Sequence, residues 1–169
     1  ILHRDIKPSN LIMNQHGFVW VTDFGLAKAH DTDQLTETGD IVGTLRYMAP
    51  ERLRGESLPQ SDIYSLGLTL YELLTLQPAL SSTDRAQAVE QLVNSRVIPP
   101  RSFDRHIPRD LETIVMKAIA HEPRDRFASA QEMADDLQRF LNDEPIRARQ
   151  QNPVVRLLRW SRRNPVVAS

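Results

Sequence analysis

The octet His3-Arg4-Asp5-Ile6-Lys7-Pro8-Ser9-Asn10 decides how this chain is read. It sets a carboxylate, an ammonium and a carboxamide within six residues. Leu11-Ile12-Met13 and Phe18-Val19-Trp20-Val21 follow, two short apolar runs either side of Asn14-Gln15-His16-Gly17. β-rich runs around a turn containing glycine predict a hairpin. Asn10 then lies just before one strand, and Asp23, in Asp23-Phe24-Gly25, just after the other. The hairpin brings these two polar residues, 13 apart in sequence, to the same end.

Working outward, residues 26–48 have no regular period and are rich in Thr, Asp and Gly. A loop of that length in a compact domain is usually functional. Helical patterns come next. Ser61 to Leu76 is strongly apolar, and its leucines, Leu66, Leu68, Leu70, Leu73 and Leu74, are expected in the core. Thr83 to Asn94 is amphipathic after a cap-like Ser82-Thr83-Asp84. Pro108 to Ala120 carries Leu111, Ile114, Val115, Ala118 and Ile119 at helical spacing. Ser129 to Leu141 opens on the capping box Ser129-Ala130-Gln131-Glu132 and sets Met133, Leu137, Phe140 and Leu141 on one face. Pro99-Pro100 and Pro123 punctuate the helices. His16, His30, His106 and His121 are scattered and are read as surface or local structural residues. No cluster has zinc spacing.

Taken jointly, several stretches identify a family. They are the octet, Asp23-Phe24-Gly25, Gly43-Thr44-Leu45-Arg46-Tyr47-Met48-Ala49-Pro50-Glu51, Ser61-Asp62-Ile63-Tyr64-Ser65-Leu66-Gly67 and Pro123-Arg124-Asp125-Arg126-Phe127. Over residues 1–142 the chain resembles the C-terminal lobe of eukaryotic-type (Hanks-type) protein kinases. Lys7 two residues after Asp5 resembles the serine/threonine branch, and the wording from Gly43 to Glu51 resembles bacterial members. Asp-Phe-Gly or Ala-Pro-Glu alone is a weak signal, whereas well over ten positions in order leave chance agreement negligible.

The resemblance implies an α+β fold of the protein-kinase type, present as its mainly helical C-terminal lobe. It implies ATP and Mg²⁺ as cofactors and protein serine or threonine as acceptor. Phosphoryl transfer requires positioned phosphates, cations to absorb charge and a group that takes the hydroxyl proton. Asp5 suits the last role, and Lys7 offers a positive charge to the transferring group. Asn10 and Asp23 supply the hard oxygens that Mg²⁺ prefers. Thr44 is expected to support Asp5, and Asp62 to brace the catalytic-loop backbone. Arg126 is expected to pair with Glu51, and His3 to be structural. Thr36 and Thr38 are candidate phosphorylation sites whose phosphate would pair with Arg4. The competing reading is a pseudokinase or regulatory module that binds partners without catalysis. Intact Asp5, Lys7, Asn10 and Asp23 argue against it. The Gly-rich loop, strand lysine and partner glutamate of a kinase do not occur in these residues. The chain therefore reads as an internal fragment expected to be inactive alone, with an exposed face where the other lobe would sit.

Composition narrows the remaining classes. With no cysteine, disulfides, thiolate catalysis and Cys-based zinc sites are excluded. The net charge of −1 conceals an asymmetry: −7 over residues 1–144 and +6 over 145–169, where six arginines stand without an acid. Residues 143–169 are read as a basic tail. Arg156, Arg159, Trp160, Arg162 and Arg163 before Asn164-Pro165-Val166-Val167-Ala168 resemble the cytoplasmic flank of a membrane helix. The expectation is a cytoplasmic kinase domain anchored by about 20 apolar residues starting near Val166. Nucleic-acid binding, another use of arginines, has no motif here and is not adopted.

Overall fold

A computed structural model describes residues 1–24, 43, 45–81, 84–94 and 97–148. Thr36, Thr38, Thr44, Gly25, His30 and the tail from Arg149 lie outside the described residues. The chain runs from the octet, through a one-turn 3₁₀ helix at Pro8–Asn10, into strands β1 (Leu11–Met13) and β2 (Val19–Val21). Among the described residues four α-helices follow: α1 (Pro59–Thr75), α2 (Arg85–Asn94), α3 (Arg109–Ala118) and α4 (Ala130–Leu141). This is an α+β arrangement dominated by helices, as the resemblance implied.

The hairpin is antiparallel, with Leu11 opposite Val21, Ile12 opposite Trp20 and Met13 opposite Val19. Asn14 closes its turn. The Oδ1 of Asn14 accepts the amides of His16 and Phe18 at 2.9 and 3.0 Å. Gly17 adopts φ 82°, a left-handed conformation that suits a residue without Cβ. Ile12, Met13, Phe18, Val19, Trp20 and Val21 are all exposed. The hairpin is thus an apolar ribbon without a cover among the described residues.

The helices build the core. Tyr64, Leu68 and Tyr71 of α1 meet Val115 of α3 and Ile119, together with Leu80, Leu92 and Ala49. On the other side Ile63 of α1 meets Ile114 and Ala118 of α3, Phe127, Met133 of α4, and Ile146 and Ala148 beyond α4. Gly67 permits the close crossing of α1 over α3. A Cβ there would lie 2.7 Å from the Ile119 side chain and 2.8 Å from the Ala118 Cβ, inside contact distance.

Boundaries follow the capping groups. Helix α1 starts at Pro59, two residues before the polar pair predicted to open it, because Pro suits the first helical position. Ser61 Oγ accepts the amide of Leu58 at 3.1 Å. Asp84 caps α2 by accepting the Gln87 amide at 2.9 Å. Ser129 accepts the Glu132 amide at 3.2 Å, but the returning carboxylate takes the Ala128 amide at 3.1 Å rather than the cap's own. One expected core residue is corrected: Leu73 is exposed, because the helical turn sets it on the opposite side of α1 from buried Leu68 and Tyr71. Leu141, placed on the apolar face of α4, is exposed at the last residue of that helix. The buried polar position on α4 is Asp136, one turn after Met133. Among the described residues no helix is long and apolar enough to cross a membrane.

Candidate active site

The octet has no regular secondary structure before Pro8, so its shape depends on bonds to distant groups. Asp62, near the start of α1, accepts two consecutive backbone amides: His3 to Oδ2 at 2.7 Å and Arg4 to Oδ1 at 2.8 Å. Arg52 adds a guanidinium bond to the Arg4 carbonyl. Together these hold Arg4 at φ 73°, a conformation costly for a residue with a Cβ. The buried His3 ring links the loop to the hairpin. Its Nδ1 accepts the Asp5 amide at 3.3 Å, so Nε2 carries the proton and donates to the Thr22 carbonyl at 2.7 Å. Phe24 stacks against the same ring, tilted, with centroids 4.4 Å apart.

These bonds set the Asp5 carboxylate. Lys7 Nζ lies 2.9 Å from Asp5 Oδ2. Asn10 Nδ2 donates to the same oxygen at 3.0 Å and to the Asp5 carbonyl at 2.8 Å. Both cationic and amide partners therefore gather on Oδ2, which turns the other carboxylate oxygen, Oδ1, away from them. Both amide hydrogens of Asn10 go to Asp5, which leaves its side-chain oxygen as the group that can face a cation. Asn10 also ties to the residue that leaves the second strand, since its carbonyl accepts the Thr22 amide at 2.9 Å. Asp23, exposed and at φ 62°, follows directly. The expected pairing of Asn10 and Asp23 at one end of the hairpin is what the strand register produces.

The donor set suits Mg²⁺ of the kind completed by phosphate and water. It offers one carboxamide and one carboxylate, both hard oxygens. Among the described residues no group of three His, Cys, Asp or Glu could hold a metal alone.

A small cleft opens beside Asp5, lined also by Arg4, Ile6, Tyr47, Met48 and Ser65. Sequence reasoning singled out neither Tyr47 nor Ser65 for a contact, and both shape this wall. Ser65 donates to the Tyr47 carbonyl at 2.7 Å, and the Tyr47 hydroxyl donates to Glu72. Burial and then the bond to Glu72 raise the Tyr47 phenol well above its ordinary pKa, so it stays a donor.

Behind the cleft lies a buried ion pair. Arg126 meets Glu51 bidentately, Nη1 to Oε1 at 2.7 Å and Nη2 to Oε2 at 2.8 Å, both side chains fully buried. Its other three N–H groups go to the carbonyls of Ala120, Gln60 and His121, at 2.7, 2.9 and 2.8 Å. All five guanidinium donors are satisfied, the condition under which a buried charge is tolerated. Ser61 donates to Glu51 Oε1 at 2.6 Å. Burial on its own would raise the Glu51 pKa, but the bonds from Arg126 and Ser61 outweigh it and hold the carboxyl below its usual range. The guanidinium also stacks 4.6 Å from the Tyr64 ring, whose phenol burial pushes up to about 12.

The family model of the protein kinase domain matches residues 1–137. The chain is 39% identical over 151 residues to the serine/threonine-protein kinase PknB of Mycobacterium tuberculosis, covering 88% of this chain and 24% of that protein. It is 38% identical over 151 residues to a probable serine/threonine-protein kinase of Streptomyces coelicolor, with 88% of this chain and 22% of that protein covered. Similarity also extends to the tyrosine-protein kinase MasK of Myxococcus xanthus, 40% over 144 residues, covering 85% of this chain and 22% of that protein. The chain spans about a quarter of the length of these curated relatives. With the motifs in order, the loop braced on Asp62 and the matched domain, this chain belongs to the Hanks-type protein kinase family and is similar to its bacterial serine/threonine members.

Proposed function

We propose that these residues form the C-terminal lobe, residues 1–142, of a kinase that transfers the γ-phosphoryl group of ATP to serine or threonine on proteins. One observation carries the reading: Lys7 and Asn10 both engage Oδ2 of Asp5, leaving Oδ1 to meet an incoming hydroxyl. Asp5 Oδ1 takes the proton of that hydroxyl as its oxygen attacks. Lys7, held by Asp5, presents its charge beside the transferring group. Asn10 and Asp23 would hold Mg²⁺, and bound Mg²⁺–ATP supplies the phosphoryl group and neutralises its charge. Asp62 keeps the loop in its high-cost conformation before substrate arrives, so orientation is not lost to loop motion. Thr44 completes the support of Asp5 and favours serine and threonine acceptors. Relatives of both acceptor classes match this chain, so Lys7 and Thr44 carry the choice of serine or threonine.

The complete protein tests this. Asp5→Asn should lower transfer to a protein acceptor by about 10²–10⁴-fold with ATP binding retained. Asp23→Ala should lower ATP binding and transfer together. Normal turnover by the Asp5 variant refutes the assignment. The 169 residues alone should transfer nothing, since the exposed apolar hairpin marks where the nucleotide-covering half would pack.

Two regulatory features belong to the same reading. Phosphate on Thr36 or Thr38 pairs with Arg4 and orders the loop. Full activity of the double alanine variant, with no phosphate found at either site, excludes it. The basic tail binds an anionic leaflet at roughly 1 kcal/mol per arginine and leads into a membrane helix, which keeps the lobe in the cytoplasm. A complete protein that fractionates as fully soluble reduces the tail to a linker.

A further inference from the structure

The segment after α4 is held by a buried carboxylate that the kinase reading does not use. Asp136 is 1% exposed. Its Oδ1 accepts the Arg147 amide at 2.7 Å and its Oδ2 the Ala148 amide at 2.6 Å. The chain is delivered there by a defined turn. Asp143 sits at φ 60°, the Glu144 amide reaches the Arg139 carbonyl at 2.8 Å, and the Asp143 amide reaches Phe140 at 3.2 Å. This is a Schellman ending with an aspartate where glycine is usual. The lengths agree. Asp136 to Asn142 is a helical rise of about 9 Å, and the four residues from Asp143 to Arg147 reach back by up to about 13 Å.

Beyond the turn the chain alternates as an extended strand does. Pro145 and Arg147 are exposed, whereas Ile146 and Ala148 are 6% and 3% exposed. Those two join the cluster of Ile63, Ile114, Ala118, Phe127 and Met133, which unites α1, α3 and α4. Two adjacent amides on one carboxylate and two apolar side chains in the core make four attachments within three residues.

We propose that residues 145–148 are a strap of the lobe, latched by Asp136. The strap fixes Arg147, the first of the six arginines of the basic stretch, against α4 and the helical core. The proposal is independent of phosphoryl transfer and survives if the catalytic reading fails.

Amide hydrogen exchange on the complete protein tests it. The Arg147 and Ala148 amides should exchange at least about 100-fold more slowly than in an unstructured chain. In Asp136→Ala both should accelerate by about tenfold or more, as loss of bonds to a charged acceptor predicts, while the amides of α1 remain protected. Trypsin should then cut after Arg147, a bond it spares in the unmodified protein. If Asp136→Ala does not fold, Asp136→Asn answers the same question, because it retains one acceptor oxygen and should release one of the two amides. Free-chain exchange at Arg147 and Ala148 in the unmodified protein overturns the strap. Full protection in a folded Asp136 variant overturns the latch.

Discussion

Asp62 and Asp136 do the same thing at two ends of the lobe. Each carboxylate accepts two consecutive backbone amides, His3 and Arg4 in one case, Arg147 and Ala148 in the other. They differ in what they hold. Asp62 reaches across 58 and 59 residues to a loop without regular structure and keeps Arg4 in a left-handed conformation. Asp136 reaches only 11 and 12 residues, to a segment that a turn has already reversed and whose apolar side chains bury themselves. Closing the short loop costs less entropy, and each doubling of length adds only about 0.6 kcal/mol. The larger difference is therefore conformational. One aspartate maintains a geometry the chain would otherwise leave; the other fastens a segment that hydrophobic burial already favours.

Glu51 calibrates this comparison, since it accepts from side chains and is fully buried. Arg126→Met leaves that charge without its partner and should cost about 3–5 kcal/mol, more than the loss of either aspartate clamp. Denaturant unfolding of the complete protein measures it, and a loss below 1 kcal/mol would mean that Glu51 does not depend on Arg126.

The two aspartates should separate on catalysis. Asp62→Ala should lower phosphoryl transfer by about 100-fold, the scale of a misplaced reacting group, while Asp136→Ala should leave turnover per folded molecule unchanged. Steady-state kinetics on both variants checks this. Equal effects would break the distinction between maintaining a geometry and fastening a segment.

Gly67 asks whether the core between the clamps can give way. Gly67→Ala forces a methyl into the side chains of Ile119 and Ala118 and should cost about 1–3 kcal/mol. Thermal unfolding reads it, and an unchanged midpoint would show that α1 and α3 can separate without penalty.

The smallest expected effect is on acid stability. The folded-state pKa of Glu51 is depressed, so its contribution is complete above the ordinary glutamate value of the unfolded chain. It is lost as pH falls from there through the folded value, by up to about 1.4 kcal/mol per pH unit. Relative to the unmodified protein, Glu51→Gln should show a flatter acid limb in unfolding measured from pH 5 downward. Identical slopes would remove Glu51 from the acid response.

Much of this is legible in the sequence. The octet, the hairpin and the helices follow from motif and period, because a proline, a turn glycine and a 3.6-residue apolar repeat act locally. The assignment of Asp62 and Arg126 came from resemblance, and the bonds of both agree with it. Leu73 reads as core in a run of leucines and is exposed, because apolar composition alone does not say which side of a helix meets its neighbours. Asp136 was invisible: an aspartate between Met133 and Leu137 looks like a solvated position on an amphipathic helix.

By itself, then, the sequence determined the family, the order of the elements and which side chains carry charge and hard oxygens near Asp5. The tertiary structure alone decided which Asp5 oxygen its partners occupy, which nitrogen of His3 carries the proton, and that Asp136 is buried beneath a returning strap. Composition and spacing act along the chain. A carboxylate's role depends on which amides arrive beside it from elsewhere, and only the packed structure brings them there.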